Sequence, residues 1–307
     1  MSRLNKKNIE IKEEKAIYLL PIKFEYKKEL KSREKIDKIS AVADPMFHAL
    51  FNHPGRIMFP ARLVSYILDI PFDTLVTNMK IVGNEVPMDK ESNISQRCDC
   101  VCEIEGSLLT IEMNNNSSVD FLYRNMDYMF KQFSSKVVNS GNYDKYCQSI
   151  LINMNNFSFE TVEEVCTISY LKDELGRILT DRIIIINIYI PNLLKKCYNL
   201  GIESLSESEK FIYAVIEDDN SKINKLIKEM PMLEEYVNIA KEVSNSEDLR
   251  FIYDRDKVNK EQSFKEGKEE AIIEMIKKMY ENGATLEIMA KRADYDLDEI
   301  KSILEID

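Results

Sequence analysis

The sequence predicts an α/β fold, with strands and helices alternating over roughly residues 40–200 and a helical C-terminal extension after them. Three observations carry this. "RCDCVCEIEGSLLTIEMNNN", Arg97 to Asn116, alternates apolar and polar residues on both sides of Glu105-Gly106, which is the pattern of a β-hairpin. The run Ile183 to Ile190, interrupted only by Asn187, is far short of the roughly 20 residues that cross a bilayer and reads as a central strand covered on both faces. From Ser206 onward the text changes to helix-formers.

Composition sets the outer limits. With 44% hydrophobic and 31% charged residues, the 307-residue chain can fill one large core, or a core and an appendage, in a soluble protein. Six cysteines (98, 100, 102, 147, 166 and 197), behind a lysine-rich start with no apolar signal segment, imply reduced thiols, a cytoplasmic location and no membrane partner. The net charge of −11 is unevenly placed: residues 1–40 carry twelve Lys/Arg against seven Asp/Glu, so the remainder holds −16. A basic arm beside an acidic body could steer a polyanion, or be a solvated helical leader in which Glu and Lys alternate.

The elements follow in order. Asp44-Pro45 before Met46, Phe47, Leu50 and Phe51 reads as an N-cap and a short amphipathic helix, ended by Asn52-His53-Pro54-Gly55. A second helix covers Phe59 to Leu68 and stops before Pro71; "LVTNMKIVGNEV" offers a strand, followed by a polar loop at 88–96 and then the hairpin. Val119 to Val138 has Leu122, Met126, Met129, Phe130 and Phe133 at helical spacing and is closed by Gly141. "YCQSILINM", "VCTISYLK" and "RIIIINIYI" are strands, and helices follow over Phe211–Glu217, Lys222–Met230 and Leu233–Val243. A charged linker at 254–268 precedes three tail helices within Ala271–Leu304, with a turn at Gly283. The resulting divisions are a basic arm (1–38), a core (39–200), a helical extension (201–260) and a helical hairpin or helix-turn-helix-like tail (261–307).

The hairpin arithmetic points to a site. With the turn centred on Glu105-Gly106, facing positions sum to 211, so Cys100 meets Ile111 and Asp99 meets Glu112. Alternation puts Cys98, Cys100, Cys102, Leu109, Ile111 and Met113 on one face, and Arg97, Asp99, Val101, Thr110, Glu112 and Asn114 on the other. The cysteines then act as small core residues, because the paired spacing of a zinc site is missing. Facing carboxylates repel. They are either an exposed pair relieved by Arg97, or set in another register by a three-residue turn, or a site for a hard divalent ion such as Mg²⁺. Arg124 and Tyr128 share a helix face and could point at a metal or phosphate, with a helix-to-sheet bridge as the alternative role for the arginine. Asp44 could be a distal metal ligand, although an N-cap explains it more simply.

At these residues the chain resembles the PD-(D/E)XK nuclease superfamily, in its transposase-like, recombination-promoting (Rpn-like) branch. Asp99 and Glu112-Met113-Asn114 sit on that family's Asp, hairpin, Glu-x-Gln pattern, and Phe121, Arg124, Tyr128 and Gly141-x-Tyr143 continue it. Asp44-x-x-Phe47 with Leu50-Phe51 resembles the family's first helix, and "GRILTDRIIIINIYIPNLLK" its late strand. The resemblance implies a restriction-endonuclease-like core with a mixed central sheet flanked by helices, and a metal-dependent DNA endonuclease. On it, Asp99 and Glu112 are catalytic residues holding Mg²⁺, with Mn²⁺ as substitute, Asn114 supports catalysis, and Arg124 and Tyr128 bind DNA. Three departures stand out: Asn114 is a methylene shorter than Gln and uncharged, His48 replaces a lysine, and "YIPNL" at 189–193 replaces Glu-Leu-Pro-Lys. They leave a second reading, a catalytically weakened relative that binds DNA or a protein. The tail has helix-turn-helix rhythm, with helices at Thr285–Ala293 and Leu297–Leu304. Asp296, Asp298, Glu299, Glu305 and Asp307 would repel a duplex, so it reads as a packing or homo-oligomer element.

Overall fold

A computed structural model describes residues 38–83, 97–117, 120–135 and 148–306. Nearly all of the N-terminal arm, the 88–96 loop, Cys147 and Gly141-x-Tyr143 lie outside them. Contacts divide the chain into two units, the first ending at Arg250 and the second beginning at Phe251.

In the first unit, α1 (Asp44–Phe51), α2 (Met58–Leu68) and α3 (Phe72–Asn78) lead into β1 (Met79–Ile81). The hairpin strands β2 (Cys100–Ile104) and β3 (Ser107–Asn114) precede α4 (Asp120–Ser135) and β4 (Ser149–Asn155). Then come β5 (Cys166–Lys172), β6 (Ile178–Tyr189) and α5 (Ile190–Leu200), followed by α6 (Glu207–Ile216), α7 (Asn220–Glu229) and α8 (Leu233–Ser244). The six strands form one mixed sheet in the order β1-β2-β3-β4-β6-β5, with β3, β4 and β6 parallel to one another and the rest antiparallel. The expected α/β architecture, a mixed central sheet flanked by helices and followed by further helices, is therefore present.

The hairpin has the expected register, with Cys100 opposite Ile111 and Ile104 opposite Ser107. Glu105 and Gly106 both have positive φ, 48° and 85°, the condition for a two-residue type I′ turn whose twist matches the strands. That turn fixes which face Glu112 occupies. α4 packs on one face of β3 and β4. α1 approaches the other, where the Cys100 thiol donates to the Phe51 carbonyl at 3.1 Å. On that side Phe47 stacks on Phe51 at 4.6 Å and Phe59 meets Tyr236 edge-on at 5.3 Å, joining α1 and α2 to α8.

Four local expectations are corrected. Asp44 is the first residue of α1, and Ala43 holds the N-cap position without a side-chain bond; the Asp44 carboxylate instead accepts from Asn115 at 2.9 Å. The first half of "LVTNMKIVGNEV" belongs to α3, because helical bonding continues to Asn78 and the strand keeps only Met79–Ile81. The run Ile183 to Ile190 has strands paired on both sides as expected, but Ile183, Ile185 and Asn187 are only half-buried on one face, and β4 is the wholly buried strand. Residues 254–268 are helical, within α9 (Glu247–Glu281). Alternating charges support it through pairs one turn apart, such as Asp256 with Lys260 at 2.9 Å.

The second unit joins the later part of α9 to α10 (Leu286–Ala293) and α11 (Leu297–Leu304) around Ile276, Met289, Ala293 and Ile300. Asp296 and Glu299 form a reciprocal capping box that starts α11. Among the described residues no helix is long and apolar enough to cross a membrane.

Phe51 has 1% of its surface exposed and touches aromatic rings on both sides. Phe51→Ala should lower unfolding free energy in urea by about 3–5 kcal/mol through the cavity it leaves. Tyr198→Ala, at a residue 90% exposed, should stay within about 0.5 kcal/mol.

Candidate active site

The C-terminal end of β3 collects the polar residues that the sequence singles out. β3 is paired on both sides and buried from Leu108 to Asn114, so Glu112 lies beneath α4 with only 3% of its surface exposed. Its Oε1 accepts the Asp99 backbone N–H at 3.2 Å, and the Cys98 thiol also hydrogen-bonds to the carboxylate. Burial is the largest influence on this acid and the Asp99 charge adds to it; these groups and Arg124 offset them only in part. Its pKa is raised from 4.5 to about 8. A carboxylate held this way gains most from a nearby cation.

Asp99 lies just before β2, where the chain bends. Its Oδ2 accepts the Met113 N–H at 2.9 Å, and its Oδ1 lies 3.3 Å from Nε2 of His48 on α1. The hydrogen bond to Asp99 is the main reason the His48 pKa is raised above its ordinary value. The bend also corrects the cysteine pattern. Cys98 packs with Val101, Leu108 and Tyr128 on the α4 face, while Cys100 and Cys102 stay together on the other with sulfurs 3.7 Å apart. Strict alternation fails here because regular pairing begins only at Cys100.

Beside Glu112 runs a lattice of side-chain amides. Parallel pairing sets Glu112 abreast of Asn153 and Asn187, and Asn114 abreast of Asn155. Asn114 Nδ2 donates to Asn155 at 3.0 Å and to Asn153 at 3.5 Å; its Oδ1 accepts from Asn125 at 3.0 Å and Arg124 at 3.4 Å. Asn125 also donates to Asn153 at 2.9 Å, and Asn153 donates to Asn187 at 3.0 Å. Asn114 is 2% exposed and its amide is fully engaged, so it ties Arg124 to the sheet. Asn155 Nδ2 is buried without a partner.

Arg124, on the exposed side of α4, reaches this lattice through Nε to Asn125 at 3.2 Å and through the bond to Asn114. Tyr128, one turn on, is 8% exposed, and burial raises its pKa; its ring packs in the Cys98 cluster. The structure thus brings Asp99, Glu112, Asn114, Arg124 and Tyr128 around one strand end. Sequence reasoning did not select His48, Cys98, Asn125, Asn153 or Asn155 as site residues. The legible signal was an asparagine inside each of two apolar strands, "SILINMN" and "IIIINIY", aligned only once the strands pair.

No group of three or more His, Cys, Asp or Glu arranged to hold an ion is present among the described residues. Two carboxylates suit Mg²⁺, which keeps several waters and commonly takes one or two protein acids with substrate phosphate. The buried setting of Glu112, with the Asp99 carboxylate beside it, fits such an ion.

A family model described as PD-(D/E)XK nuclease family transposase matches residues 41–271. No curated protein and no solved structure matches the chain.

The raised pKa of Glu112 makes metal-free stability depend on pH. The folded value of about 8 exceeds the ordinary 4.5, so this acid's contribution is complete below 4.5 and is lost as pH rises through 8. His48, also raised, acts in the same direction. Metal-free protein should lose on the order of 4 kcal/mol between about pH 5 and pH 9 in chemical denaturation. Glu112→Gln, which keeps the acceptor for Asp99 N–H, should remove most of that slope.

Proposed function

The chain belongs to the PD-(D/E)XK nuclease family of transposases, and on that premise we propose that it is a DNA endonuclease hydrolysing phosphodiester bonds with a divalent ion, Mg²⁺ or Mn²⁺ in its place. The observation that carries this is the buried Glu112 carboxylate with Asp99 beside it, burial and the Asp99 charge together raising its pKa to about 8. Asp99 and Glu112 would hold the ion. When bound, it would supply an activated water and neutralise charge on the scissile phosphate.

The chain's own residues do the rest. Arg124 is fixed by Asn114 and Asn125 and offers its remaining N–H donors to a phosphate oxygen. Asn114 acts by holding that arginine, which suits a fully bonded amide better than orienting a water. Tyr128 packs under the site and shapes it. His48 holds Asp99 from the α1 side.

The saturated Asn114 gives a specific reason to keep the second reading, a relative that binds DNA without cutting it. Nicking of supercoiled plasmid DNA across a Mg²⁺ and Mn²⁺ series separates the two. The nuclease should nick only with metal, and Asp99→Ala should fall below about a hundredth of wild type with unchanged circular dichroism. Arg124→Ala should lose about tenfold. Gel retention of DNA without cleavage in either metal would favour the binding reading.

A further inference from the structure

A second site lies where α2, α3 and α8 meet, formed around Arg62. The guanidinium carbon is 3.5 Å from the Phe72 ring centroid, 5.5 Å from that of Tyr66 and 5.8 Å from that of Tyr236. Its Nε donates to the Tyr236 hydroxyl at 2.9 Å. Tyr236 is 3% exposed and wedged edge-on between Phe59 and Phe211, so the position of this cation is set by the core. Arg62 lines an open cavity of about 810 Å³ whose walls include Met58, Val76 and Ile239. That volume is in the range of ligand sites, ~300–1,000 Å³.

Charge narrows the occupant. Glu234, Glu235 and Glu242 line the same cavity and are exposed, yet Arg62 makes no ion pair among the described residues. A guanidinium stacked in this way is directional and matches a planar carboxylate. Three acids at the rim of a chain of net charge −11 disfavour a phosphate dianion or a nucleic-acid backbone and favour a positive group behind the single anion.

We propose that this cavity captures the C-terminal end of a peptide: the free carboxylate on Arg62, an apolar last side chain against Met58, Val76 and Ile239, and a preceding lysine or arginine facing the glutamates. The inference does not depend on nuclease activity.

Calorimetry on the full chain with acetyl-Lys-Ala-Leu as free acid, and with the same peptide as C-terminal amide, tests it. The acid should bind with a dissociation constant of roughly 1 mM or tighter, and at least about tenfold more tightly than the amide. Arg62→Met should abolish that preference. Val76→Asp, at a residue 38% exposed on the wall, should weaken binding without changing the melting temperature, which separates lost binding from lost folding. 4-Methylpentanoate, a small acid with no positive group, should bind more weakly than the peptide acid, and Glu242→Gln should narrow that gap. Equal binding of acid and amide, binding of neither, or a preference that survives Arg62→Met overturns the proposal. Small-acid binding as tight as the peptide's overturns the peptide as occupant.

Discussion

Everything at the strand end is organised by one unfavourable placement: an ionisable carboxylate buried on a strand that is paired on both sides. The two-residue turn at Glu105-Gly106 fixes the register, the register fixes the face of Glu112, and α4 covers that face. The backbone of β3 cannot turn the acid out to water without moving Cys100 and Ile111, and with them the packing against α1. The surroundings therefore adapt to the charge, with an amide from Asp99, a thiol from Cys98 and the more distant field of Arg124.

The asparagines around it follow from the same parallel pairing. Side chains at matched positions of β3, β4 and β6 stand abreast, so one amide on each strand suffices to build a chain of hydrogen bonds across the sheet. Asn114, Asn125 and Asn153 each both donate and accept, whereas Asn155 only accepts and its Nδ2 is buried without a partner. The lattice ends on Arg124, so this cation, whose charge acts on Glu112, takes its position from amides on the sheet and on α4 instead of from its own flexible stem alone.

Much of this was legible in the sequence. Alternation and the Glu-Gly turn gave the hairpin register, and through it the neighbourhood of Asp99 and Glu112, because period-two patterning is a local property. Helical spacing put Arg124 and Tyr128 on a shared stripe of α4 for the same reason. What escaped is non-local. At the bend the Asp99 side chain accepts from Met113, fourteen residues away, and Cys98 lies on the other face. Asn187 reads as the interruption of an apolar strand and Asn153 as an ordinary residue of one until pairing aligns them with Glu112. The charged stretch 254–268 is helical instead of a linker because opposite charges one turn apart, such as Asp256 and Lys260, support a helix.

The most direct test of the central claim is calorimetric titration of metal-free protein with Mn²⁺ near neutral pH, in buffers of different ionisation heat. A carboxylate titrating at about 8 is mostly protonated there and must release its proton to become a ligand. The account predicts one ion per chain and close to one proton released with it, both lost in Glu112→Gln. Binding with no proton released, or binding that the substitution leaves intact, would contradict it.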